Sequence, residues 1–532
     1  MNEEQQEILG GQLMPPSEKV LKENGDTTLL YQEHASLRTI KPELLEFSNA
    51  SINALSPLWI VLLVAALGLV TATFKKLSSK WFTIGVVFLG LLAGAVLSYL
   101  RLDEPPLLLF NGMLVWDSLT QFIAVLAYLM AAGTVLASVR YLDRETLQFA
   151  EYYLLVLFSA IGMVVMAASG QLITLFIALE VMSLSVYALV AFRRSDRRSN
   201  EASLKYFVMG GAASAVMLYG CALLYGATGT LQINQILTHI TEQSTPSIGF
   251  IAGAWLVVLG FLFKVAAAPF HSWMPDVYEG APTPVTGFMT TALKASVFVA
   301  FLRVFTSLGY AVEPSAILTR HFHDVLWVLA VVTMVFGNVV ALTQTQLKRM
   351  LAYSSIAHTG YLLLGFISGG MGSYGHAGIL VYLVSYAVMN LGAFVVLTAI
   401  SGKGDTGLAL QDLAGLSKRN PALAFALAVF MFSMAGIPPT AGFVGKYLLF
   451  YNAVESGEIL LVVIAVLTSA VSVYYYLRVL VFAYMKEGAQ EKRVPWALGS
   501  GAVIFVTVLL TLQIGIFPSK WVEAAKLVFR AL

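Results

Sequence analysis

Fourteen apolar runs recur along the chain, at 58–74, 81–100, 117–139, 151–169, 171–192, 202–227, 249–272, 283–309, 325–344, 350–369, 375–400, 421–453, 458–483 and 496–517. A helix needs about 20 apolar residues to cross a hydrocarbon core. In lipid only helices and closed barrels satisfy their backbone polar groups. These runs do not alternate apolar with polar, which excludes a barrel. The expected fold is an all-α polytopic membrane protein of about fourteen transmembrane helices. Composition agrees, with 58% hydrophobic and only 12% charged residues, against about 25% charged in soluble domains. The net charge of +2 is too small to imply nucleic acid. The single cysteine, Cys221, excludes disulfides and any cluster held by several thiolates of this chain. No signal-peptide pattern opens the polar first 50 residues.

Four charged side chains lie deep inside these runs: Glu180, Lys264, Lys294 and Lys446. An ionised residue at mid-helix costs roughly 2.5–3.5 kcal/mol on insertion scales. A chain that keeps four of them has a use for them, and the default use is a proton or ion path. Two of the lysines lie beside interruptions. Span 7 carries Lys264 and then Pro269, and span 12 carries Gly436, Pro438 and Pro439 before Lys446. Proline removes a donor and clashes with the carbonyl four residues back. A broken helix survives in lipid only inside protein or along a wet cavity. Paired breaks in two halves of a membrane chain point to inverted repeats around a midplane site.

Orientation follows the Lys/Arg bias. Loops after odd-numbered spans carry eighteen basic residues: Lys75, Lys76, Lys80, Arg140, Arg144, Arg193, Arg194, Arg197, Arg198, Lys348, Arg349, Lys403, Lys418, Arg419, Arg478, Lys486, Lys492 and Arg493. Loops after even-numbered spans carry only Arg101 and Arg320. The odd loops are expected to face the cytoplasm, matrix or stroma, with both termini on the other side.

The run from Phe263 to Pro284, FKVAAAPFHSWMPDVYEGAPTP, resembles the signature of the antiporter-like subunits of respiratory complex I and of multisubunit cation/proton antiporters. Its VYEGAP portion resembles the N-type subunit (subunit 2 in organelle naming). Three further matches accompany it: TQTQLKRMLAYSSIAHTG at 343–360, EASLKYF at 201–207, and the AGIPP run that leads to Lys446. Together they cover spans 5 to 12. The resemblance implies two inverted five-helix repeats, each with a broken helix. The domains are then a polar tail at 1–57, helices 1–3 at 58–139, a first repeat at 151–309, a second at 325–483, and helix 14 with a C-terminal segment at 496–532. The tail matches nothing in that family.

The resemblance also implies a non-redox, proton-translocating subunit of an NADH–quinone oxidoreductase, driven by quinone reduction elsewhere. Carried over by motif, its path residues are Glu180, Lys205, Lys264, Lys294, His271, His358 and Lys446. It implies no cofactor in this chain, with flavin, iron–sulfur clusters and quinone in partner subunits. Partners would be other membrane-arm subunits, including a neighbouring antiporter-like subunit and small membrane subunits, together with lipids. The membrane would be the bacterial inner membrane, with thylakoid or mitochondrial inner membrane as alternatives.

Plainer readings compete at each position. Glu180 could be an interhelical hydrogen-bond partner, and Lys446 could snorkel if the break shortens its helix. Lys205 could be interfacial, and Arg303 reads as snorkelling. A structural hydrogen bond competes with a relay at His271, and packing with a relay at His358. Asp276 and Glu279 could form caps or subunit contacts, and His321 and His323 read as solvated rather than metal-binding. Gly90 and Gly94 have the small-xxx-small spacing of close helix packing. Residues 105–116 are apolar but too short to cross, and suggest a re-entrant or interfacial piece. No phosphate-cradling glycine loop is present, which argues against an ATP-driven pump. Two other function classes remain beside the oxidoreductase subunit: a cation/proton antiporter or membrane hydrogenase subunit, and a structural scaffold of the membrane arm.

Overall fold

A computed structural model describes residues 49–73, 80–236, 247–307, 317–369, 374–488 and 497–530. Most of the polar tail, Lys75, Lys76, Lys492, Arg493 and the side chains of Arg320 and His321 lie outside the described residues. Helices dominate: α1 Ser56–Thr73, α2 Lys80–Leu100, α3 Ser118–Glu145, α4 Ala150–Ala167, α5 Leu172–Val190, α6 Arg197–Thr228, α7 Ile248–Lys264, α8 Trp273–Gly280, α9 Thr283–Phe288, α10 Lys294–Ser307, α11 Ile317–Thr343, α12 Leu347–Ser368, α13 Gly375–Ile400, α14 Pro421–Ala435, α15 Ala441–Glu455, α16 Ile459–Met485, α17 Leu498–Ile516 and α18 Pro518–Arg530. Among the described residues, twelve helices are long and apolar enough to cross a membrane. The two shorter apolar helices, α7 and α14, are the first halves of spans 7 and 12, so both interruptions anticipated from proline are real breaks.

The breaks have local causes. After α7 the chain passes through Ala266 at φ 56 and Pro269 before α8 begins. After α14, Gly436 sits at φ 84, where a side chain would be strained, and its N–H bonds back to Phe432 and Ser433, a glycine C-cap of the usual kind. Backbone groups freed by each break find partners. The Val265 carbonyl accepts from Thr359 Oγ1 at 2.8 Å, and the Ala268 N–H donates to Thr333 Oγ1 at 3.0 Å. In the second break the Met434 and Ala435 carbonyls accept from Lys446 Nζ at 3.0 and 3.1 Å. The broken helix is the fourth of five in each expected set, α4 to α10 and α11 to α16.

The connections sort onto two faces. Loops after odd spans bond to one another: Arg144 to Ser401, Glu145 to the Gly404 N–H, and Arg193 and Lys348 to Asp405. Loops after even spans do likewise: Gly170 N–H to Met113, Leu172 N–H to Leu231, and Ser456 to Ser368. This is the alternation expected of successive crossings. The α12, α13 and Thr283–Thr306 segments are almost wholly buried, whereas α1, α6 and α11 bury only about a third of their apolar window.

One expectation changes, at Arg303, and two others take definite form. Residues 105–116 form a β-hairpin, β1 Leu107–Leu109 paired antiparallel with β2 Leu114–Trp116. The turn at Phe110, Asn111 and Gly112, all at positive φ, makes the segment fold back on itself rather than enter as a helix. Arg303 does not snorkel: it is buried and pairs with buried Asp117 at 2.7 Å. Asp117 also caps α3 by accepting from the Thr120 N–H. At Gly90 and Gly94 the close packing is as expected, since an added Cβ would come within 2.5 Å of Val64 and 2.7 Å of Val61.

Candidate functional site

The three lysines anticipated from the sequence are buried, with Lys264 3%, Lys294 2% and Lys446 5% exposed. None reaches the protein surface. Each amine bonds to neutral polar groups and lies over a tyrosine ring. Lys264, the last residue of α7, donates to Ser183 Oγ at 2.9 Å and Tyr187 OH at 3.2 Å. Both partners follow Glu180 on α5 at spacings of three and seven, which places all three on one helix face. The Glu180 carboxylate makes no ion pair among the described residues, and its buried Oε1 has no hydrogen-bond partner, yet it is near enough for its charge to act on Lys264.

Lys294 opens α10 directly after a π-helical turn, Met289–Leu293. Such turns insert a residue into a helix and often mark functional positions. Its Nζ donates to Ser355 Oγ at 2.9 Å and lies 5.2 Å from the Tyr386 ring centroid. The Tyr386 hydroxyl donates to the same Ser355 Oγ at 2.7 Å. One turn along α12, buried His358 bonds through Nδ1 to Tyr382 OH and through Nε2 to Tyr476 OH at 3.2 Å. His358 lies one turn from Ser355, the partner of Lys294, on the same helix. Lys446 donates to the two break carbonyls and to Ser469 Oγ at 2.8 Å, and its amine lies 5.2 Å from the Tyr361 ring. Ser354, Ser355, His358 and Tyr361 thus line one buried stripe of α12.

Two of the expected residues sit apart from this row. Lys205 has a 42% exposed side chain and pairs at 2.9 Å with Glu201 and with Asp276, rather than with Glu180. Asp276 also binds Arg349, which reaches Glu279. Burial would raise the Asp276 carboxyl, but Lys205 and Arg349 hold it below its ordinary value. This half-exposed network tethers the start of α6 and α12 to α8, immediately after the first break. His271 is half-buried against Phe336, and its Nδ1 has no partner. His323 bonds Asp324 and Glu458. Among the described residues no group of three or more His, Cys, Asp or Glu could hold a metal.

Several partners escaped the sequence reading. Ser183 and Tyr187 were signalled by their spacing from Glu180, and Tyr382 and Tyr386 by an i, i+4 pair of polar aromatics inside an apolar span. Asp117 and Arg303, 186 positions apart, carry no mutual signal in one sequence.

Residues 169–472 match the family described as NADH:quinone oxidoreductase/Mrp antiporter, TM. The chain is 44% identical over 446 residues to the NADH-quinone oxidoreductase subunit N of Trichlorobacter lovleyi, covering 84% of this chain and 90% of that relative. It is 39% identical over 518 residues to the NADH-quinone oxidoreductase subunit N of Myxococcus xanthus, covering 91% and 98%. Among solved structures, a chain of the respiratory complex I from Thermus thermophilus with bound aureothin aligns with TM-score 0.75 at 35% identity, over 88% of this chain and 98% of that one. A chain of the Mrp complex from a Dietzia species aligns with TM-score 0.79 at 21% identity, over 90% and 97%, a likeness of fold alone.

Proposed function

The chain belongs to the NADH:quinone oxidoreductase/Mrp antiporter transmembrane family, and from that premise we propose that it is a proton-translocating membrane-arm subunit of an NADH–quinone oxidoreductase. The relatives' shared name and the extent of the match favour this class over a cation/proton antiporter subunit. The observation that carries it is the buried group of Lys294, His358 and Lys446, each bonded to a hydroxyl, of Ser355, Tyr476 and Ser469 respectively, inside the helix bundle. A scaffold needs no such group, and each of its amines is costly to bury.

In the proposed cycle, Glu180 holds the proton on Lys264 through its charge. Movement of Glu180 away from Lys264, imposed by a neighbouring subunit, lowers the proton affinity of the amine, because burial disfavours the charged form. The proton passes along bound water to Lys294. Ser355 and the tyrosine hydroxyls around it orient the hydrogen bonds that lead to His358, and Lys446 takes the proton in the second half. Lysine suits this role because its proton affinity responds to burial, whereas arginine stays charged. The groups titrate together, so no private value belongs to any one of them. The odd loops face the cytoplasm in this reading. Electron transfer, flavin, iron–sulfur clusters and quinone belong to partner subunits.

Lys264→Met in the assembled complex tests the proposal. Quinone reduction should continue while proton uptake and release per electron fall. Unchanged translocation in that variant would remove Lys264 from the path.

A further inference from the structure

Asp117 and Arg303 form a buried ion pair that uses only part of its hydrogen-bonding capacity. Arg303 Nη2 donates to Asp117 Oδ1 at 2.7 Å and to Thr120 Oγ1 at 3.2 Å. The same Oδ1 accepts from the Thr120 N–H at 2.9 Å. A guanidinium and a carboxylate can form two parallel bonds, fork to fork. Here the second pair of atoms, Arg303 Nε and Asp117 Oδ2, is buried, and neither has a hydrogen-bond partner among the described residues. Each shares a carbon with its bonded twin, so both belong to the contact between α3 and α10.

Two neighbouring atoms are in the same condition. Trp116 Nε1 and Gln121 Oε1 are also buried without partners. Trp116 directly precedes Asp117 in the chain. Gln121 follows it by one helical turn, with its N–H on the Asp117 carbonyl at 3.0 Å, and so shares its face of α3. Trp116, Asp117, Gln121 and Arg303 are 3%, 2%, 2% and 8% exposed. Buried polar groups in folded proteins are nearly always bonded, and leaving one bare is costly.

The four atoms are matched in kind, with two N–H donors and two oxygen acceptors. The two formal charges cancel. A cation would meet the guanidinium and an anion the carboxylate, so the set favours a neutral ligand. Water donates two hydrogen bonds and accepts two, and a buried water typically makes about three. We propose that Asp117 Oδ2 and Arg303 Nε hold a buried water between α3 and α10, with Trp116 Nε1 and Gln121 Oε1 completing its shell.

Radiolytic labelling tests this on the whole assembled complex. Millisecond X-ray pulses make hydroxyl radicals from water in place, bound water included, and mass spectrometry reads the oxidised side chains. Trp273 is the dry control, being 2% exposed with its Nε1 bonded to the Phe263 carbonyl at 3.1 Å. Trp116 should be oxidised several-fold faster than Trp273. Equal, slow rates at the two tryptophans would overturn the proposal. Asp117→Leu combined with Arg303→Met removes one acceptor and one donor, and should bring Trp116 down to the Trp273 rate. An unchanged Trp116 rate in that variant, with Trp273 still slow, would mean that the radicals come from bulk water, and would also overturn it. A rise at Trp273 would mark unfolding of the variant, and the comparison within the parent then decides alone. Labelling of Trp116 that falls as potassium or chloride is raised would place an ion there instead of water.

Discussion

Lys446 adds to its proposed relay role a structural one that Lys264 lacks, and replacing each by methionine should separate them. Lys446 supplies the donors for two carbonyls, Met434 and Ala435, that the second break leaves without helical partners. In the first break the corresponding work is done by Thr359, which bonds the Val265 carbonyl, while Lys264 donates only to hydroxyls. A buried acceptor left unpaired costs about 1–3 kcal/mol, so Lys446→Met should orphan two and cost about 2–6 kcal/mol. Hydroxyls can turn to other acceptors, so Lys264→Met should cost less than one such carbonyl. Both replacements remove the penalty of a buried amine, which cancels in the comparison. Thermal unfolding in detergent, with hydrogen exchange of residues 435–442, would read the difference. Lys446→Gln, which keeps N–H donors, should recover part of the loss. Equal destabilisation by Lys264→Met and Lys446→Met, or no recovery with glutamine, would refute the capping role. A pumping defect in Lys446→Met therefore mixes structure with chemistry, and Lys264→Met is the cleaner probe.

Removing Arg303 with methionine leaves Asp117 as an unpaired buried charge, and breaking such a pair costs about 3–5 kcal/mol; Asp117→Asn in the same chain should recover most of it, because asparagine still caps α3, and an equal loss in the double variant by detergent unfolding would contradict the pairing. Burial would raise the Asp405 carboxyl, but Lys348 and Arg193 hold it below its ordinary value. A depressed carboxyl stabilises the folded state fully above its unfolded value, about 4, and loses that contribution as pH falls through the folded value. Protection of the 401–407 loop against hydrogen exchange should accordingly hold from pH 8 to about 4 and fail only below, and failure near pH 6 would show that another group controls it.

The membrane fold was legible because bilayer thickness imposes length and composition on every crossing, and those are properties of contiguous residues. The same holds for the breaks, since Pro269, Pro438 and Gly436 act on their own backbone. Lys264, Lys294 and Lys446 stood out because a charge in an apolar run is costly wherever the run packs. What those amines touch was not legible. Ser355 meets Lys294 across 61 positions, Tyr476 meets His358 across 118, and Arg303 meets Asp117 across 186. Lys205 carried a matching motif, yet the fold turned it toward Asp276 at the surface. A side chain's partner depends on which helices are neighbours and how each is rotated about its axis, and short-range spacing carries neither. Span and charge are written in local sequence; the wiring of the polar row came into being only when α8 packed against α12, and α14 and α15 packed against α13 and α16.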